Sequence, residues 1–124
     1  MELTKLLQIR NVLLEHINDK VSASLAYRIM KYLKSTDQEE DFYLKRTQEI
    51  ADEFGEKDAD GKPVRNADGG ITIQHDKIEE CKKLISELGK TNVDVPATKF
   101  ALAELSELKL TVKEMYILDD LITP

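Results

Sequence analysis

The sequence predicts a mainly α (α+β) fold: a long helical hairpin with a small β-hairpin at its distal end and a short C-terminal helix. Three observations carry this reading. Leu25, Ile29, Tyr32, Thr36, Tyr43, Thr47, Ile50 and Phe54 recur at helical spacing, so one stripe holds one face for about eight turns of 3.6 residues. A polar tract rich in Gly and Asp, residues 55–70, follows at once, and such residues mark turns. Shorter helical patterns then recur near 76–88 and 112–122. A helix as long as the first stripe spans about 50 Å. A chain of 124 residues cannot cover it throughout, so other segments or other chains must line up against it.

Residues 2–18 form the first predicted helix, with Leu3, Leu6, Leu7, Leu13, Leu14 and Ile17 on one face and Ile9 and Val12 widening it. Arg10 sits inside this stripe where an apolar residue would fit. The turn Asn18-Asp19-Lys20 leads to Ser22 or Ser24, either of which can cap the long helix at 22–54. So short a connection implies antiparallel helices. Gly55 is the expected stop, through the left-handed conformation that ends helices. Val64 and Ile71-Thr72-Ile73 read as two short strands joined at 66–70, giving a β-hairpin over 63–74. Asp76, with Glu79 three residues on, has the pattern of a capping box for a helix over 76–88. Val93-Asp94-Val95 alternates as a strand does, and Pro96 confines it to an edge or an end. A short strand near 98–101 and one helical turn come next. Thr111 and Glu114 form a second capping box opening the last helix, with Met115, Leu118, Leu121 and Ile122 inward. By size, residues 1–124 read as one domain, with the C-terminal strand and helix at 93–122.

Composition narrows the function. Charged residues make up 34% and the net charge is −6, which argues against binding nucleic acid through phosphate neutralisation. The charge is uneven: residues 1–34 carry +3, and residues 35–60 carry −7. The single cysteine, Cys81, cannot form an internal disulfide. The N-terminal residues lack the basic start and apolar run of a signal peptide, and no apolar run approaches the roughly 20 residues that span a bilayer. The expectation is a soluble protein with no membrane contact.

Tests for chemistry give no site. Glu56-x-Asp58-x-Asp60-Gly61 begins like an EF-hand loop, but its twelfth position is Ala67 instead of the bidentate Glu. His16 and His75 lie in separate elements without metal-ligand spacing, and Cys81 falls at a helical core position where thiols are inert. No nucleophile-elbow, phosphate-loop or dinucleotide motif is present. The reading is of a non-enzyme with no catalytic residue, no metal and no cofactor.

What remains is protein contact. The first helix has more apolar positions than one face needs, which places Leu6, Ile9, Leu13 and Ile17 against a partner. The stretch 34–41 is polar on every side; it reads as a solvated face, or as an acidic docking surface of Asp37, Glu39, Glu40 and Asp41. Tyr27, Tyr32, Phe42 and Tyr43 line the long helix beside it, as core residues or as anchors for a partner.

The tract Glu53-Phe54-Gly55-Glu56-Lys57-Asp58-Ala59-Asp60-Gly61-Lys62-Pro63-Val64, with Gly69-Gly70-Ile71-Thr72-Ile73, Ile85-Ser86-Glu87-Leu88 and Leu110-Thr111, resembles a group of small proteins of unknown function encoded among the structural genes of tailed bacteriophages. The resemblance covers about half the chain and carries no catalytic residues. It implies a virion, tail or assembly role, located in the virion or the host cytoplasm. The partners would be other virion proteins or further copies of the chain as a homo-oligomer. The competing class is a small acidic inhibitor or adaptor, whose carboxylates over 37–60 would occupy a cationic nucleic-acid channel of a host defence enzyme. An inhibitor needs its acids on one continuous exposed face, whereas an assembly protein needs exposed apolar side chains.

Overall fold

A computed structural model describes all 124 residues. It contains five α-helices and a two-stranded sheet, so the mainly α reading with a small β element holds. Helix α1 spans Leu3–Glu15 and α2 spans Ala23–Phe54. Helix α3 covers Ile78–Gly89, preceded by a 3₁₀ turn at His75–Lys77. Then come strand β1 (Phe100–Ala101), the one-turn α4 (Leu102–Leu105), α5 (Val112–Leu118), a 3₁₀ turn, and strand β2 (Ile122–Thr123). The chain divides into two compact units, Met1–Glu39 with Asn92–Pro124, and Glu40–Thr91, where the sequence reads as one domain. Helix α2 supplies residues to both.

In the first unit, the α1 stripe is core. Leu3, Leu6, Ile9, Val12 and Leu13 are buried, as are Leu25, Tyr32 and Leu33 of α2. Fully burying each such side chain contributes about 1.5–3 kcal/mol, so these residues account for much of this unit's stability. Ser22 caps α2, its Oγ accepting from the Leu25 amide. Thr111 and Glu114 form the expected capping box on α5. The predicted strand at 93–95 is absent. Instead Asn92 bridges Glu2, and the Val93 amide donates to the Met1 carbonyl. β1 pairs in parallel with β2, Phe100 beside Ile122. The sequence reading missed β2 because it extended the last helix through residue 122, whereas α5 stops at Leu118.

In the second unit, Ile50, Phe54 and Cys81 form the core, with Ile73, Leu84, Ile85 and Leu88 packed on it. The β-hairpin is a set of isolated antiparallel bridges, Gly55 to Ile73, Lys57 to Pro63 and Arg65 to Ile71. Its turns centre on Gly61 (φ +79°) and Gly69 (φ +86°), which take the left-handed conformation that glycine adopts without a Cβ penalty. The Asp58 carboxylate accepts from the amides of Asp60 and Lys62, and Asp68 accepts from Gly70, so both loops are Asx turns. The expected Asp76 capping box does not form: no side chain caps α3, and its first turn begins after the 3₁₀ segment.

Candidate functional site

Arg10 explains the break in the α1 stripe. The side chain is 3% exposed, and one guanidinium nitrogen donates to the Leu33 carbonyl and to Thr36 Oγ1, each at 2.6 Å. The other donates to Asp37 Oδ1 at 2.8 Å. Thr36 is fully buried, and its hydroxyl donates to the Tyr32 carbonyl. One cation thus fixes α1 against successive residues of α2, with the fork geometry that suits a guanidinium. Asp37, expected as part of an acidic docking surface, is an ion-pair partner within the unit.

His16, just past α1, ties that end to α5. Its Nδ1 is 2.6 Å from Asp19 Oδ2 and its Nε2 is 2.7 Å from Glu114 Oε2. The Asp19 bond, aided by Glu114 and opposed by desolvation, raises the imidazole pKa above its ordinary 6.5. The Thr111 amide, then His16, lower the Glu114 pKa below its ordinary 4.5. A raised folded pKa makes the histidine's contribution full below 6.5 and lost as pH rises through the folded value. A lowered one makes the glutamate's contribution full above 4.5 and lost as pH falls through its folded value. Both act together between those limits. The thermal midpoint of the wild-type protein is therefore expected to fall relative to His16→Gln as pH rises from 6 through the raised histidine value. A parallel pH dependence in the two proteins would show that this clamp does not contribute.

A cleft of about 350 Å³ lies between the start of α2 and the residues following α1, walled by Leu14, Ile17, Ile29, Met30 and Leu33, with Arg10 and Asp37 among its polar residues. Ile17 is exposed at this cleft. The other three residues expected to face a partner, Leu6, Ile9 and Leu13, are buried within the unit. This corrects the expected interface along α1 at those three positions, which serve contacts inside the first unit. Phe42 is exposed and Tyr43 half-buried, with Asp41 exposed and Glu39 and Glu40 half-buried.

The most exposed of the large apolar side chains lie elsewhere. Val112 is 87% exposed and Tyr116, one turn on along α5, is 83% exposed. With Leu102, Met115, Asp119, Ile122 and Pro124 they line a shallow depression of about 510 Å³. The signal was in the sequence: once Leu118 and Leu121 point inward, the i, i+4 pair Val112 and Tyr116 must point outward. No helix is long and apolar enough to cross a membrane. No protein-family model, curated protein or solved structure matches this chain.

Proposed function

We propose that this chain is a non-enzymatic structural or assembly protein that works through protein–protein contacts, with the outer face of α5 as its contact surface and a further copy of the chain as one occupant. The observation that carries the reading is the pair Val112 and Tyr116, both more than four-fifths exposed and joined by Leu102 in one patch that is apolar except for Asp119. Side chains of this size contribute little to the fold from such positions, and aromatic residues in apolar surroundings dominate binding energies at interfaces. Helical residues spaced i and i+4 offer a ridge that an equivalent ridge can meet about a two-fold axis. The phage setting rests on the resemblance of the 53–64 tract and its following segments.

Sedimentation at micromolar concentration tests the proposal. The wild-type chain is expected to self-associate reversibly, and Val112→Asp with Tyr116→Asp to leave a monomer whose unfolding free energy changes by no more than about 0.5 kcal/mol per substitution, as for other surface changes. A wild-type chain that stays monomeric would argue for the acidic inhibitor instead. A double variant that associates like wild type would remove α5 as the surface.

A further inference from the structure

A second cleft of the first unit has the opposite electrostatic character from the chain. It is about 470 Å³ and lies between the N-terminal half of α2 and the segment leading into β1. Its nine lining residues include Arg28, Lys31 and Lys99 and no carboxylate, in a chain of net charge −6. The three cations differ in their partners. Arg28 is neutralised by Glu104 at 2.5 Å, also donates to the Lys99 carbonyl, and lies 4.8 Å from the Phe100 ring centre. The Lys99 ammonium donates to the main-chain carbonyl of Asp120, which carries no compensating charge. Lys31 is exposed and makes no ion pair. Two positive charges thus remain unneutralised at one concavity.

The rest of the lining has the chemistry of a ligand site. Tyr32, 2% exposed, is part of the lining. Ser35 and Thr98 add hydroxyls, and Tyr27 adds an exposed ring. The volume lies within the roughly 300–1,000 Å³ of small-molecule sites.

We infer that this cleft binds a small phosphorylated ligand with a planar ring, a nucleoside monophosphate in chemical class, its phosphate between Lys31 and Lys99 and its ring against Tyr27. Two features select this class. The surplus of cations calls for an anion, and the chain's overall negative charge disfavours a polynucleotide, whose affinity grows with the number of phosphates neutralised. A mononucleotide needs only the local charge. An exposed tyrosine ring at the cleft gives a base a face to stack on. The site lies on different residues from the α5 surface, so it stands or falls independently of the proposed association.

Calorimetric titration of the full chain with adenosine monophosphate, adenosine and inorganic phosphate tests it. The monophosphate is expected to bind saturably, and more tightly than either fragment. Lys31→Glu, at an exposed position that leaves the fold intact, is expected to weaken it by roughly ten- to hundredfold, the cost of losing a charge-assisted contact. Lys82→Glu on α3 makes the same change in net charge at a residue that is not part of the cleft lining and is expected to leave binding unchanged. Absence of binding at millimolar monophosphate would overturn the inference. Equal weakening by Lys82→Glu would also overturn it, because the attraction would then be a general field effect. Phosphate binding as tightly as the monophosphate would remove the ring from the assignment.

Discussion

Arg10→Ala is expected to lower the stability of the first unit by about 2–4 kcal/mol, a large share of what a domain of this size possesses. Two costs add. The alkyl stem of Arg10 is packed among core residues, and truncating it leaves a void. The charge-assisted bonds to Leu33, Thr36 and Asp37 are also lost. Two further variants separate these terms. Arg10→Met keeps the stem volume without the donors, and is expected to recover the packing part, because Asp37 is itself more than half exposed and can be hydrated. Arg10→Lys keeps the charge but gathers its donors on one nitrogen and cannot reproduce the two-nitrogen fork, so it is expected to remain clearly below wild type. Urea unfolding followed by circular dichroism measures all three. If Arg10→Ala matched wild type, the guanidinium would have no part in holding α1 against α2.

The same residue shows where sequence reasoning ends. Periodicity placed most of the α2 stripe: Leu25, Tyr32, Thr36, Ile50 and Phe54 are buried and Ile29, Tyr43 and Thr47 half-buried, since a 3.6-residue repeat needs no tertiary information to be recognised. Capping by Ser22 and Thr111 was legible because those bonds are local. The surface was harder to read. A wide apolar stripe such as that on α1 looks the same whether its surplus meets a partner or another part of the chain, and here Leu6, Ile9 and Leu13 are covered from within. The packing of α1 against α5, and the parallel pairing of β1 with β2, join residues far apart in sequence, and no local pattern specifies them. The cationic cleft follows the same logic. Arg28 and Lys31 are only three residues apart, one turn of helix, but Lys99 joins them only through the fold.

The tract that carries the phage resemblance contains the second large effect. Gly55→Ala is expected to destabilise the second unit by about 1–3 kcal/mol, in the manner of an overpacked core. The reason differs from the one the sequence implied. Gly55 does not take a left-handed conformation; the positive-φ glycines are Gly61 and Gly69. What excludes a side chain is proximity: a Cβ on Gly55 would lie 2.4 Å from Ile71 Cγ2 and 2.8 Å from the Ala51 carbonyl oxygen. The isoleucine can shift, but the carbonyl belongs to the last turns of α2 and cannot move without disturbing the helix. Gly55 also bridges Ile73, so the displacement reaches the β-ladder and, through Ile73, the core around Cys81. Gly61→Asn provides the contrast. Nothing lies within 4 Å of a Cβ there, and asparagine tolerates the left-handed region, so its cost should stay well under that of Gly55→Ala. Amide hydrogen exchange resolves the location as well as the size. Amides of 55–73 and of α3 should lose protection in Gly55→Ala while those of α1 and α5 keep theirs. Protection preserved around Ile71 and Ile73 would mean that the tract accommodates a methyl group, and that close approach is not what the glycine provides.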